Sequence, residues 1–316
     1  MAAPDRHGPH SAVKRELLVR YLDAWVPAAL HGHRRATYLD GYATGESAEA
    51  ALGVIGEFTD LLARHALSVV LGAEDATALT VEVAGVRQRV PTPPGVGVQI
   101  VPRPAGGGLP VISAPAGSPV LAYLDAAAGQ APPDPAAVAG LLAGGKAEAL
   151  VVCDSHALGD PADPGHPERV QRHREALRGS GSALLTCVEL VTADGRAELV
   201  FFATPSAPRL EVFKDALWAV DEYAGVRYRD PRDPGQALLD ISLTPHPGPL
   251  RRALLGHLAA AGTRTVAELR RFALTETVYR AADVVRALTA MVASGAVHRE
   301  PAKGRLTAEA LISVPG

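Results

Sequence analysis

Residues 36–40, 67–71, 119–125 and 149–154 are short apolar runs that end on or just before an acid: Asp40, the pair Glu74 and Asp75, Asp125, and Asp154. Runs of this length predict strands. Helical periodicity over 46–65, 132–144 and 168–177 makes the chain cross over between them instead of turning straight back, which calls for a largely parallel sheet with helices on its faces. The alternation Leu79-Thr-Val-Glu-Val83 predicts one more strand, and residues 91–110, dense in Pro and Gly, read as a long loop. Segments 183–191 and 197–203 flank the turn Ala193-Asp-Gly195 and predict an antiparallel hairpin at one edge. The expected class is α/β, a Rossmann-like doubly wound sheet.

A helix over 11–31 precedes the first strand, with Leu17/Leu18, Tyr21/Leu22, Trp25/Val26 and Ala29/Leu30 recurring every fourth position; Pro27 is expected to kink it and Gly32 to stop it. A helix from about residue 210 follows the hairpin. Residues 229–248, with Asp230-Pro-Arg-Asp-Pro-Gly235 and Pro245-His-Pro-Gly248, read as a linker. Beyond it, helices over 249–260, 266–274 and 278–294 and a hairpin of 297–300 with 305–312 predict a winged-helix domain. The expected division is 1–243 and 246–316.

Charge divides along the same line. Residues 246–316 carry ten Lys or Arg against five Asp or Glu, a net +5, which leaves −8 on the rest of a chain whose total is −3. A basic unit on an acidic body suggests an anionic partner such as nucleic acid. Arg280 and Arg286 on the third helix, with Lys303 and Arg305 on the wing, are the candidate phosphate contacts. The first ten residues lack the apolar stretch of a secretory signal, no apolar run is long enough to span a bilayer, and Cys153 and Cys187 stand far apart, so a cytoplasmic protein without membrane, disulfide framework or metal is expected.

Several chemical motifs fail on inspection. Gly140-Leu-Leu-Ala-Gly-Gly-Lys-Ala147 resembles a phosphate-binding loop, but it precedes a strand and ends in Ala. Asp154, His156, Asp160, Asp163, His166 and His173 match no common metal spacing. There is no G-x-S-x-G elbow. Trp25 and Trp218 sit on amphipathic helices and are read as core.

Ligands in open α/β sheets bind beyond the carboxyl ends of the strands. That directs attention to Tyr38-Leu-Asp-Gly-Tyr-Ala-Thr-Gly45, a strand, a glycine-containing turn and a helix start. This segment, together with Lys14-Arg-Glu-Leu-Leu18 and Tyr21-Leu-Asp-Ala-Trp25 before it, Leu124-Asp125 with Gly129, Phe201-Phe-Ala-Thr204 and Phe213-Lys-Asp-Ala-Leu-Trp218, resembles the three-Cys-motif partner proteins. The resemblance implies a class I methyltransferase-type fold and S-adenosylmethionine as cofactor. On that reading Asp40, Gly41 and Gly45 shape the cofactor loop, Glu74 or Asp75 holds the ribose, and Asp125 faces the reacting centre. It also implies a cysteine-rich partner protein, which carries the three cysteines.

The loop departs from the family's D-G-F-A-G-P-G. Thr44-Gly45-Glu46 stands in place of G-P-G, and Glu46 puts its own negative charge at a helix start, where it would repel the cofactor's carboxylate. Ala126 replaces the proline of the later turn. Two functions are therefore expected: a methyltransferase of unknown acceptor, or a non-catalytic interaction or nucleic-acid-binding protein on the same scaffold. A crevice filled by Tyr42, Thr44 and Glu46 would favour the second.

Overall fold

The computed structural model describes residues 8–315 except 113, 116, 127, 128, 182 and 222–224. Helix α1 (Pro9–His31) leads into β1 (Arg35–Asp40), α2 (Gly45–Glu57), the single turn α3 (Thr59–Leu62), β2 (Ala66–Ala73), α4 (Ala76–Arg89), β3 (Val96–Pro102) and β4 (Val120–Ala126). Then come α5 (Pro135–Leu142), β5 (Ala147–Asp154), α6 (His166–Arg178), the hairpin β6 (Leu184–Thr192) and β7 (Ala197–Thr204), α7 (Ala207–Trp218), β8 (Val226–Arg229) and β9 (Leu238–Asp240). These nine strands form one sheet in the order β3-β2-β1-β4-β5-β7-β6-β8-β9. Strands β1 to β5 pair in parallel; β7 runs against β5 and β6, and β8 against β6 and β9. The strand order reverses between β1 and β4, and a doubly wound sheet opens its ligand crevice at that point.

One expected strand is a helix. Residues 79–83 lie inside α4, whose start is capped by Asp75 accepting from Ala78 N at 2.9 Å. The buried residues of α4 are Leu79, Val83 and Val86, a helical spacing, while Val81, which created the apparent alternation, is 72% exposed. The third strand lies instead in the expected loop: β3 pairs with β2 along its whole length. Pro27 sits inside α1 without ending it, and Gly32 caps the helix as expected.

Helices α1, α2, α4 and α7 cover one face of the sheet, and α5 and α6 cover the other. The first of these cores does not stop at the sheet. It runs on through α8 (Gly248–Ala261), α9 (Val266–Glu276) and α10 (Ala281–Ala293), which carry a small antiparallel sheet β10-β12-β11 built from Arg264–Thr265, Leu311–Ser313 and His298–Glu300. The segment read as a linker contributes β9 to the large sheet, and its Asp230 and Asp233 are buried. Asp233 accepts from the Gly235 and Ala237 backbone and pairs with Arg252 of α8.

The corner between α9 and α10 is tied to the sheet by side chains of the body. Lys214 Nζ donates to the carbonyls of Ala273, Thr277 and Tyr279 at 2.9, 2.6 and 2.7 Å. Trp218 Nε1 donates to Val278 O at 3.0 Å, Arg174 to Thr275 O at 2.7 Å, and Asp230 accepts from Val278 N at 3.1 Å. Burial pushes Lys214 down to about 7, with Asp230 and Glu276 opposing the shift. Three carbonyl acceptors nevertheless require three N–H bonds, which only the ammonium form supplies. No helix among the described residues is long and apolar enough to cross a membrane.

Candidate cofactor crevice

The structure gathers Asp40, Gly41, Gly45, Glu74, Asp75 and Asp125 at the carboxyl ends of β1, β2 and β4, and the chain itself engages the side chain or backbone of each. Asp40 is fully buried. It accepts the Ser47 hydroxyl at 2.6 Å and the Tyr42 N–H at 3.1 Å, fixing the turn into α2. Burial pushes its carboxyl up to about 7; these two bonds resist the shift and Asp125 adds to it.

Gly41 passes close under β4: a Cβ there would lie 2.5 Å from Leu124 Cδ2. Its N–H donates to Tyr123 O, and Ala43 N donates to Gly72 O, so the turns after β1 and β2 are knitted together. Pro110, from the segment between β3 and β4, closes over them. A Cβ on Gly72 would meet the Pro110 ring at 2.3 Å, and the same ring is 3.7 Å from the Cβ position of Gly41.

Thr44 caps α2, exchanging hydrogen bonds with Ser47. The free backbone donors at such a start attract anions. Here the anion is internal: Glu82 of α4 accepts from Gly45 N at 2.8 Å. Only glycine permits that approach, because a Cβ at position 45 would lie 2.8 Å from the Glu82 carboxylate oxygen.

At the end of β2, Glu74 pairs with Arg103 at 2.5 Å, and the Arg103 guanidinium lies 4.1 Å from the centre of the buried Tyr42 ring. Tyr42 in turn donates to Ala131 O. Asp75 is spent on the cap of α4. Across the switch point, Asp125 accepts Lys14 Nζ at 3.0 Å and the Tyr123 hydroxyl at 2.9 Å, while Lys14 also pairs with Glu198 at 2.9 Å. Burial alone would lower the Lys14 pKa, but the two carboxylates raise it, and the ammonium is held charged over the strand ends. The turn after Asp125 includes residues 127 and 128, which lie outside the described residues.

S-adenosylmethionine would need open donors at the start of α2, a carboxylate free for its ribose, and room above Gly41 and Gly72. In this arrangement the first is taken by Glu82, Glu74 is paired with Arg103, and Pro110 fills the third, so the residues do not fit the cofactor. Of the expected fillers, Tyr42 is one, whereas Thr44 caps the helix with Ser47 and Glu46 lies in its first turn. Sequence reasoning missed Glu82, Arg103, Pro110 and Lys14. Glu82 was hidden by reading 79–83 as a strand; as a helix, 75 to 82 is two turns, which carries Glu82 toward the start of α2.

The four candidate phosphate contacts divide. Arg280 is tied to Asp283, to Leu243 O and toward Asp215 of α7, and Arg286 pairs with Asp283. Lys303 and Arg305 are exposed at the tip of the small hairpin. Among the described residues no group of three His, Cys, Asp or Glu is placed to hold a metal. Ser155 donates to Glu189 at 2.9 Å and lies 3.1 Å from His166, but it is fully buried and stands between the His and the acid, the wrong order for a nucleophile.

No protein family and no curated protein matches the sequence. Solved structures that are similar in part include the following two. One is the O-methyltransferase TomG from Streptomyces achromogenes, involved in tomaymycin synthesis and solved in complex with SAM, at 17% identity and a TM-score of 0.35 over 60% of this chain and 79% of that one. The other is cofactor-bound Rv0187 from MTB, at 14% identity and a TM-score of 0.36 over the same shares. The Rossmann-like assignment rests on the strand order described above.

Proposed function

We propose that this chain is a methyltransferase-fold protein that works by binding a partner, a divergent relative of the three-Cys-motif partner proteins whose own side chains hold the cofactor crevice. The Glu82 carboxylate on Gly45 N–H carries this reading, because it sets a negative charge where the cofactor's carboxylate would sit. A cysteine-rich protein is the partner that the family resemblance assigns.

The C-terminal unit is the proposed docking module. Its helix, strand, two helices and hairpin, with the sheet order β10-β12-β11, support a winged-helix assignment. Such modules read DNA with the first turn of the third helix. In this chain that turn faces the body, with Arg280 bonded to Leu243 O and Asp283 and Tyr279 buried, which favours a protein partner over nucleic acid.

A second reading, methyl transfer from S-adenosylmethionine, is favoured by Glu74 and Asp75, both exposed at the mouth, and by the exposed position of Glu82 on its helix. Calorimetric titration with S-adenosylhomocysteine separates the two. The expected result is no binding by wild type at about 1 mM ligand, whereas a dissociation constant below about 100 µM would establish the second reading in place of the first.

A further inference from the structure

We propose that this chain pairs with a second copy of itself through the free edge of β3, joining two nine-stranded sheets into one. The backbone bonds of β3 decide which groups face outward. Leu67 N donates to Gly95 O and Arg103 N donates to Ala73 O, so the odd-numbered residues of β3 face β2 and the even-numbered ones turn their N–H and C=O groups to the edge. Of the even residues, Val96 has its N–H turned back onto Pro93 O, and Pro102 has none. The outward donors are therefore Val98 and Ile100, and among the described residues neither meets an acceptor.

These two donors are complementary to themselves. An antiparallel pairing about a two-fold axis at Gln99, the middle residue, overlaps the whole of Val96–Pro102. It sets Val98 opposite Ile100 of the second copy, so that each pair exchanges both hydrogen bonds. The next outward position brings Val96 against Pro102, where neither residue has an N–H to leave unpaired, and the ladder ends there.

Charge points the same way. Edge strands that avoid association commonly carry charges, lysine above all. Val96–Pro102 carries none, and Gln99 and Gly97 are exposed with nothing within 4 Å of the Gly97 Cβ position. A strand of this length, donors matched by a two-fold axis and an absence of charge all fit a second copy of this chain. The pairing is independent of whether the crevice binds cofactor.

Sedimentation velocity of the full chain from about 1 to 200 µM should follow a monomer–dimer equilibrium through that range. Gln99 lies at a closely spaced, non-hydrogen-bonded pair, so Gln99→Lys and Gln99→Glu each oppose like charges across the axis and weaken the dimer at least tenfold, on the order of 1.4 kcal/mol. Both changes fall at an exposed position, and circular dichroism checks that the fold is kept. An equimolar mixture of the two variants restores dimer at or above the wild-type level. A wild type monomeric throughout, single variants that dimerise like wild type, or a mixture that stays monomeric overturns the proposal.

Discussion

The crevice at the ends of β1, β2 and β4 and the corner between α9 and α10 are both places where this chain satisfies its own polar groups, and they do so in opposite ways. In the corner the donors are buried: Lys214 and Trp218 are wholly enclosed and bind carbonyls that no water can reach in their place. In the crevice two of the closing groups stand near solvent, while Tyr42 and Pro110 are buried: Glu82 is exposed, and Glu74, partner of Arg103, has 66% of its side chain accessible. A hydrogen bond withdrawn from a buried group costs its full desolvation, whereas one withdrawn at the surface is replaced by water. The corner is therefore a structural joint, and the Glu82 and Glu74 contacts of the crevice each cost little to open.

Substitutions at the two places should differ in kind. Lys214→Met keeps the length of the side chain, takes the lysine donor from Tyr279 O, and leaves Ala273 O and Thr277 O only their bonds from Thr277 and Thr186. It should cost about 3–5 kcal/mol in urea unfolding, with sheet and C-terminal helices lost in a single transition. A loss under about 1 kcal/mol would make the corner no stronger than the crevice and remove the contrast.

Asp40 is the one deeply buried carboxylate of the crevice, and its prediction concerns pH. Its ordinary value is 3.8 and the folded value about 7, so the folded state holds a proton that the unfolded chain has already released. The stability this contributes is fully present below about 4 and is lost as pH rises through about 7. Asp40→Asn should therefore flatten the pH profile and stabilise the protein by on the order of 1–2 kcal/mol at pH 8, leaving it unchanged near pH 4. Parallel profiles for wild type and variant from pH 4 to 8 would refute the assignment.

Glu82→Gln is the smallest step. It removes the charge at the start of α2 but keeps an acceptor for Gly45, so unfolding should move by no more than ~0.5 kcal/mol. A cost comparable to that of Lys214→Met would show that the crevice is locked as firmly as the corner.

How much could be read from the residues depended on whether a segment had one reading or two. Strands β1, β2, β4 and β5 were legible because each is a compact apolar run closing on an acid, and the β6–β7 hairpin because of Ala193-Asp-Gly195. The stretch Leu79-Thr-Val-Glu-Val83 alternates like a strand yet buries Leu79, Val83 and Val86 like a helix; the cap by Asp75 settles it, and a cap becomes visible only once the helix is assumed. Strand β3 was masked by prolines on both sides, β9 is three residues held by pairing with the short β8, and β10 is two residues held by β12, distant in sequence. In the crevice, positions were legible and partners were not. Asp40, Glu74, Asp75 and Asp125 stand at the strand ends as expected, but their engagement by Ser47, Arg103, Ala78 N and Lys14 depends on which elements the fold sets beside them.

Lys214 emerges from the ribosome 59 to 65 residues ahead of the carbonyls that bind it. At roughly 5–20 residues per second the nascent chain spends about 3–13 s with that ammonium, and the indole of Trp218, without their partners. During this interval β6 and α7 present the apolar surface on which α9 will later pack. Chains that stall or terminate before Tyr279 would stay in that state and present the same surface to chaperones and proteases for good. The last quarter of the chain thus sets how long each newly made copy is open to quality control.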